Sequence, residues 1–276
     1  MEIAPGVELI TVGESEYMDG FTHTPNVYFV QGSQGVAFVD TAFGKDEEQQ
    51  AYLELWKSRG SPRVKAIILT HRHGDHIGGA VRLHESTGGP IHAGRVEVEA
   101  IDAELKGAGV SVPVGDGATL DLGGATLEFI HTPGHTLGST CILLREQGVL
   151  FTGDMILGSS TTVISPDHGD MADYIESMRK LLPYDARLIA PGHGPMVHNP
   201  EVKIKELIDH RLEREEQIVA LLRDGNSTID EMFSAIYPAL HAGLHNTAKS
   251  QIRAHLNKLE KDGRVERSDG GDYALR

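Results

Sequence analysis

Residues 70–76 hold the densest group of side chains in this chain that could do chemistry. Three imidazoles and one carboxylate lie within six residues, directly after the apolar run 64–69: His71, His73, Asp75 and His76. Burying such groups side by side is costly unless a cation compensates for the lost hydration. The segment therefore predicts a metal site.

The spacing inside this segment indicates two binding directions. In extended backbone, side chains two residues apart point to the same side, so His71 and His73 can bind one metal ion. We expect the chain then to turn at Gly74 and to enter a helix near Ile77. That turn would direct Asp75 and His76 to a different side, where they could hold a second ion nearby.

Three later segments repeat the theme of an apolar run followed by one metal-competent side chain. The runs 127–131, 149–153 and 187–190 lead in turn to these residues: His135, Asp154 and His193. Polar groups at the carboxyl ends of buried strands are where open α/β sheets build their sites. The repetition predicts that these three side chains join the first group.

These residues and their motifs resemble the metallo-β-lactamase superfamily. The resemblance covers roughly residues 5–200, and Asp40 matches the acidic residue that opens the motif series of that family. The motifs Thr-Pro-Gly-His-Thr, Thr-Gly-Asp and Pro-Gly-His-Gly-Pro resemble those of the glyoxalase II-like branch. With the C-terminal segment included, the chain resembles the β-lactamase-like protein 2 family.

The resemblance implies a ligand set for two divalent metal ions. One ion would take three histidines, the other would take one aspartate and two histidines, and Asp154 would bridge both. The two sets are, in that order, His71, His73 and His135, and then Asp75, His76 and His193. Imidazole and carboxylate ligands fit zinc, which we expect, and they also fit iron or manganese.

The implied chemistry is hydrolysis by a hydroxide that bridges the two ions. Bound metal lowers the pKa of water from about 15.7 to about 7 and polarises the scissile oxygen. Asp75 and Asp154 are the candidate catalytic residues, and Asp75 could also carry a proton to the leaving group. Asp40 is a candidate acceptor for a ligand imidazole N–H. Its alternative role is to cap a turn after a strand.

The coarse periodicity predicts an α/β catalytic domain over residues 1–200. Strands are expected at 7–13, 26–31, 36–40, 65–70, 90–93, 125–131, 139–144, 149–153 and 187–190. Helices are expected at 46–59, 77–86, 94–106 and 171–182. The resemblance implies a four-layer αββα sandwich in which the ligands line the shared edge of two sheets.

A second domain is expected over residues 201–276. A long amphipathic stretch at 202–223, a capping box at 228–231, a helix at 247–262 and a hairpin at 264–275 resemble a winged helix. Its charged residues could contact nucleic acid: Lys249, Arg253, Lys258 and Arg267. The alternative is a packing module that braces the long helix, which we favour. The segment 248–276 has seven Lys or Arg against five Asp or Glu, a weak electrostatic footprint.

Composition favours an enzyme of the cytoplasm. The net charge of −15 argues against broad polyanion binding. We see no secretory leader and no apolar run long enough for a membrane span. Cys141 is the single cysteine and lies in an apolar run, so we expect an inert core thiol and a reducing compartment.

The expected activity is hydrolysis of an ester, thioester, lactone or amide bond in a small or mid-sized molecule. The alternatives are endonuclease cleavage of single-stranded RNA, which the resemblance to the β-lactamase-like protein 2 family supports, and hydrolysis of β-lactams. Four residues are candidates for the substrate rim: His23, Tyr28, Leu157 and His168. The oligomeric state is left open, with a homodimer among the alternatives.

Overall fold

Alternating and continuous apolar runs form two β-sheets at the centre of the protein. The computed structural model describes residues 1–10, 17–18, 21–22, 24–105 and 109–276. Its strands are β1 (Glu2–Ala4), β2 (Val7–Ile10), β3 (Tyr17–Met18), β4 (Phe21–Thr22), β5 (Val27–Gly32), β6 (Gly35–Val39), β7 (Val64–Leu69), β8 (Ile91–Gly94), β9 (Val112–Val114), β10 (Thr119–Asp121), β11 (Thr126–His131), β12 (Thr140–Leu144), β13 (Val149–Gly153), β14 (Leu188–Pro191), β15 (Val265–Arg267) and β16 (Tyr273–Leu275). The larger sheet has the order β1-β2-β5-β6-β7-β8-β9 and the smaller sheet β10-β11-β12-β13-β14.

Helices cover the outer faces of both sheets. They are α1 (Asp46–Ser58), α2 (Gly74–Ile77), α3 (Ala80–Thr87), α4 (Val98–Leu105), α5 (Met171–Leu181), α6 (Pro200–Arg223), α7 (Ile229–Ile236) and α8 (His245–Lys261), with 3₁₀ turns at Leu182–Tyr184 and Ala242–Leu244. Side chains of α1, α3 and α4 pack on the larger sheet, and those of α5 and α6 pack on the smaller sheet. The expected αββα sandwich is confirmed.

The apolar core between the two sheets fixes how their edges meet. Tyr28 of the larger sheet packs on Phe151 of the smaller sheet, with ring centroids 5.1 Å apart, and Phe129 lies in the same cluster. Strands β6, β7 and β8 are parallel neighbours, and so are β13 and β14. Carboxyl ends of parallel strands lie at one sheet edge, which is where such folds build sites. The residues that follow β6, β7, β13 and β14 are therefore gathered at one edge of the sandwich.

Some element boundaries differ from the sequence prediction. The helix expected at 77–86 is preceded by a separate turn, α2, that already starts at Gly74. The helix expected from residue 94 begins at Val98, because Gly94 still pairs in β8. The short strands β1, β9 and β10 were not expected, since three residues carry too little alternation to recognise. Residues 11–13 of the first expected strand lie outside the described residues.

The C-terminal segment forms its own apolar cluster around the second half of α6. Ile218 and Leu222 of α6 pack there with Met232 of α7 and with Ile252 and Leu256 of α8. The expected capping box at Thr228 is present, because its hydroxyl accepts from Glu231 N while Glu231 accepts from Thr228 N. Strands β15 and β16 pair as the antiparallel hairpin of the module.

Helix α8 is covered on two sides. Ile252, Leu256 and Leu259 face the C-terminal cluster, whereas Ala254 joins the cluster beneath the smaller sheet. The exposed residues of this helix are Asn246, Arg253 and Lys261. In a winged helix bound to DNA, the corresponding helix would lie free for a groove. Here two sides of the helix are buried within the protein. Among the described helices, none combines the length and apolarity needed to cross a membrane.

We predict that His255 of α8 makes the fold acid-sensitive. Burial, together with the cationic neighbours Arg211, Arg214 and Lys258, lowers the pKa of His255 to about 3. The unfolded chain takes up this proton near pH 6.5, but the folded chain does not, so the free energy of unfolding falls as the pH drops from about 6.5 toward 3. At pH 5 the loss is on the order of 2 kcal/mol.

Urea unfolding at pH 7 and pH 5 measures this loss, with His255→Asn compared with the parent protein. The variant should lose that part of the pH dependence, whereas His241→Asn, at an exposed position, should retain it. Equal pH dependence in the parent and in His255→Asn would contradict the assignment.

Candidate metal centre

Two groups of donor side chains meet at the sheet edge. The first contains His71, His73, His135 and Asp154, and within it one ligand atom of each residue lies within 4.8 Å of the others. The second contains Asp75, His76 and His193, with donor atoms within the same distance of one another. All seven residues proposed from the sequence are therefore brought together. They also divide into the same two sets.

The first cluster is a ring of imidazole nitrogens. His73 Nδ1 lies 2.9 Å from His71 Nε2 and 3.0 Å from His135 Nε2. The rings meet edge to face, with centroids 4.6 to 4.8 Å apart. Side chains from two distant segments thus aim three nitrogens at one point.

The second cluster is joined to the first by Asp154. Asp75 Oδ2 lies 3.2 Å from His193 Nε2. Asp154 Oδ1 lies 3.3 Å from His76 Nε2 and 3.5 Å from His193 Nε2, while its Oδ2 lies 3.8 Å from His135 Nε2. One carboxylate therefore faces both clusters, with one oxygen directed to each.

Local backbone geometry explains this division. His73 is extended, with φ −67° and ψ 143°, so it stays on the same side as His71. Helix α2 begins immediately after it and places Asp75 and His76 on a single helical turn. The turn begins at Gly74, as expected from the sequence, and it has the expected effect on direction.

Gly192 allows the two clusters to approach each other. A Cβ atom built on Gly192 would lie 2.6 Å from Asp154 Oδ1 and 2.7 Å from His76 Cε1. Real Cβ contacts are essentially never that short. The backbone that leads to His193 can therefore pass beneath the other donors only because residue 192 has no side chain.

Backbone carbonyls fix the tautomers of two histidines. His135 Nδ1 lies 2.8 Å from Val163 O, and His193 Nδ1 lies 3.2 Å from Thr24 O. A carbonyl can only accept, so each Nδ1 carries the hydrogen. When these rings are neutral, their Nε2 atoms carry the lone pairs, which is the form that binds a metal ion.

Asp40 supports one histidine of each cluster. Its Oδ2 accepts from His76 Nδ1 at 2.8 Å and from Thr70 Oγ1 at 2.9 Å, and its Oδ1 accepts from Thr70 N at 2.9 Å. The Thr70 hydroxyl in turn lies 3.0 Å from His71 Nδ1. Asp40 adopts φ 62°, which is uncommon outside glycine and tends to occur at functional sites. This position agrees with the expected role of Asp40, which is to accept a hydrogen bond from a ligand imidazole. That role remains our proposal.

His168 is the neighbour of His73. Their Nε2 atoms are 3.2 Å apart, so one of them donates to the other. Donation by His73 leaves its Nδ1 lone pair directed at the first cluster. His168 was expected only at a substrate rim, and the structure places it against a candidate ligand.

Electrostatics keep the three histidines of the first cluster uncharged. Burial, followed by the neighbouring imidazoles, lowers the pKa of His71 well below its usual value and that of His73 to about 4. Burial also lowers the pKa of His135. Neutral imidazoles are the form that binds metal, so this cluster is in its ligating state at neutral pH.

At the second cluster, positively charged neighbours keep two carboxylates ionised. Burial opposes ionisation of Asp75, yet the hydrogen bond to His193 and the charge of His76 bring its pKa down to about 2. Burial likewise opposes charge on Asp154, but His76 and His193 hold the pKa of this carboxyl well below its usual range. Two ionised carboxylates in one buried site need positive charge beside them, which protonated His76 and His193 supply here and which bound metal ions would supply in their place.

The donor set fits a pair of metal ions. His76 Nε2 and Asp154 Oδ1 are both buried without a hydrogen-bond partner, although such atoms are paired in most proteins. Both atoms face the space between the clusters. Divalent cations would satisfy them together with the other lone pairs. All ligands are nitrogen or oxygen, which suits zinc and also other divalent first-row metals.

The rim predictions have mixed outcomes. Tyr28 is 2% exposed and its hydroxyl donates to Pro191 O at 2.6 Å, so its placement at the rim was wrong. Successive side chains of β5 point to opposite faces of the sheet, and Tyr28 lies on the face that packs in the core between the sheets. Leu157 is half-buried three residues after Asp154, and its contact with substrate remains a prediction. His23 lies outside the described residues.

Intramolecular partners occupy most of the basic residues proposed for nucleic-acid contact. Lys249 Nζ pairs with Asp230 at 2.7 Å, and Lys258 Nζ pairs with Glu215 at 2.8 Å. Arg267 lies over the ring of Tyr273. Arg253 is exposed. The carboxylates beside Lys249 and Lys258 reduce the positive potential that a phosphate backbone would meet at these two residues.

Sequence reasoning missed several residues that support the site. Thr70 adjoins the histidine motif, and its hydroxyl could have been noticed there. Thr24 and Val163 act through backbone carbonyls, which every residue type possesses, so the sequence carried no signal for them. Cys141 is buried as expected, and burial raises the pKa of its thiol to about 12.

Comparison with known proteins finds two matching family models and several relatives that extend over most of the chain. The family model of the metallo-beta-lactamase superfamily matches residues 21–193, and that of the beta-lactamase associated winged helix domain matches residues 228–272. A beta-lactamase-like protein 2 homolog of Caenorhabditis elegans is 31% identical over 255 residues, covering 88% of this chain and 84% of the relative.

Two further matches extend over most of the chain. An atrochrysone carboxyl ACP thioesterase of Aspergillus fumigatus is 28% identical over 262 residues, covering 87% of this chain and 77% of the relative. The crystal structure of a metallo-beta-lactamase family protein from Thermus thermophilus superposes with a TM-score of 0.77 at 27% identity, covering 100% of both chains.

Proposed function

The chain belongs to the metallo-beta-lactamase superfamily and is a hydrolase, and we propose that it cleaves an ester, thioester, lactone or amide bond with two divalent metal ions, zinc first among them. His71, His73 and His135 would hold one ion. Asp75, His76 and His193 would hold the other, and Asp154 would contact both. When bound, such ions lower the pKa of a water molecule to about 7 and polarise the scissile oxygen.

The position of Asp154 is the observation that carries this proposal. Its two oxygens face different clusters, and one of them is buried without a hydrogen-bond partner. A carboxylate in that place neutralises positive charge from both sides and fixes the separation of the two ligand sets. An isolated structural metal would need only one of these sets.

The protein side chains have distinct parts in the proposed reaction. Asp40, Thr70 and the carbonyls of Thr24 and Val163 hold the histidine rings so that their lone pairs point inward. Asp75 is 22% exposed, more open than the histidines beside it. It is therefore placed to orient the attacking nucleophile and to pass a proton to the leaving group.

A thioester is the first substrate class to test. One relative is named an acyl carrier protein thioesterase, and its similarity extends over most of both chains. The single-stranded RNA alternative requires a positively charged surface to bind the backbone. The charge of −15 and the internal pairing of Lys249 and Lys258 weaken that alternative.

We expect zinc-loaded protein to hydrolyse one of the proposed bond types and to leave RNA uncut. The assay is a parallel panel of an aliphatic thioester, an aryl ester, a lactone, a β-lactam and a fluorescent single-stranded RNA. Chelation should abolish hydrolysis, and added zinc should restore it. Cleavage of RNA with no turnover of the small substrates would overturn the proposal. Activity that survives complete metal removal would do so as well.

A further inference from the structure

The C-terminal module touches the catalytic half at a short segment beside the first cluster. Gln251 of α8 bonds the backbone of Ile164 twice: its Nε2 donates to Ile164 O at 2.9 Å and its Oε1 accepts from Ile164 N at 3.2 Å. Arg211 of α6 donates from Nη2 to Thr162 O at 2.6 Å. The backbone is thus held on both sides of residue 163.

Val163 is the residue between these two attachments. Its carbonyl accepts from His135 Nδ1 at 2.8 Å and therefore fixes the ring that faces the first cluster. The side chain of Val163 is 42% exposed, so packing of that side chain does not determine where the carbonyl lies. The position of this acceptor depends on the flanking residues, which the C-terminal module holds.

The second cluster has no equivalent dependence within the described residues. His76 is held by Asp40, and His193 is held by the carbonyl of Thr24. Both acceptors belong to the catalytic half. The later part of the same loop is also held there, because His168 O accepts from Leu137 N and Asp170 N donates to Gly134 O.

We infer that Gln251 and Arg211 are positioning residues for the first metal ion, acting through the carbonyl of Val163 on His135. The C-terminal module then sets the affinity of one metal site and leaves the other to the catalytic half. Supporting partners behind a ligand histidine change metal affinity by about 10- to 100-fold. This inference rests on the proposed metal centre.

Gln251→Met tests the inference, because methionine keeps the length of the side chain and removes both hydrogen bonds. Arg211 is unsuitable, since it is 3% exposed and packs over Tyr174, so its loss would endanger folding. The same substitution at exposed Gln217 of α6 is the matched control. Zinc affinity is measured by chelator competition in two backgrounds that each retain one cluster.

In the His193→Ala background, which keeps the first cluster, Gln251→Met should weaken zinc binding by about 10-fold or more. In the His135→Ala background, which lacks the histidine that Val163 O positions, Gln251→Met should leave zinc affinity unchanged. Gln217→Met should leave zinc affinity unchanged in both backgrounds. Gln251→Glu keeps an acceptor for Ile164 N but sets a carboxylate oxygen against Ile164 O in place of the donor, so it should also weaken zinc binding. It also serves as the test if Gln251→Met lowers the unfolding midpoint.

The outcomes separate the inference from the proposed function. Zinc binding in neither background would remove the metal centre itself. Zinc binding in both backgrounds with no effect of Gln251→Met would overturn the inference and leave the centre intact. An equal loss in both backgrounds, or an equal loss from Gln217→Met, would also overturn the inference, because it would indicate general loosening of the fold.

Discussion

Replacing Asp154 with alanine should strongly reduce both metal binding and hydrolysis. Among the described residues it is the carboxylate that faces both clusters, so its loss removes charge from each ligand set at once. The five histidines would then hold two divalent ions with Asp75 as the remaining anion of the set. We expect zinc content to fall and kcat/KM to drop on the order of 10³-fold.

Zinc analysis after gel filtration, together with kcat/KM for the active panel substrate, measures this effect. Asp154→Asn keeps the shape and removes the charge, so it should resemble the alanine variant. Asp116→Ala removes an aspartate that pairs with Lys180 away from the clusters, and it should retain metal and activity. Full zinc content with full activity in Asp154→Ala would refute the assignment of this residue.

Adding one methyl group at Gly192 should also disable the centre. The new Cβ would overlap Asp154 Oδ1 and His76 Cε1, and both side chains are held in place by other contacts. Overpacking of this kind costs about 1–3 kcal/mol. Displacing reacting groups by about 1 Å costs on the order of 10²-fold in rate. Gly192→Ala should therefore lose zinc affinity and about that much activity.

Gly74→Ala is the matched control for this prediction. Gly74 belongs to the histidine motif itself, yet a Cβ atom built there meets nothing within 4 Å. Zinc affinity should be retained in this variant and reduced in Gly192→Ala, as measured by chelator competition. Equal zinc affinity in the two variants would show that the space around residue 192 does not limit the site.

The donor residues could be predicted from the sequence because residue type alone determines whether a side chain can bind a metal ion. Histidines and aspartates placed after apolar runs were found by type and spacing alone, and parallel strand pairing explains why they converge. The turn at Gly74 was predicted, but a helix was expected only from Ile77, whereas α2 already begins at Gly74. A four-residue helix has no full period to recognise, and its start is defined by the backbone of His73.

The support around the donors was less accessible to sequence reasoning. Asp40 was named because it matches the acidic residue that opens the motif series of the family, and its carboxylate was then a candidate acceptor for an imidazole N–H. The carbonyl of Val163 and the close approach at Gly192 depend on tertiary position, which residue type does not encode. Tyr28 was misplaced for a related reason: a tyrosine in a strand can face either side, and here it faces the core.

Helix α8 is buried on two sides, and this limits which segments could be exchanged between this protein and its relatives. A chimera that exchanges everything after α6 replaces Gln251, Ala254 and Lys261, which contact the catalytic half. Such a chimera keeps residues 162–170 without the side chains that match them. The module is therefore not an interchangeable cassette. A functional chimera must therefore take the C-terminal module and the loop 162–170 from the same parent protein.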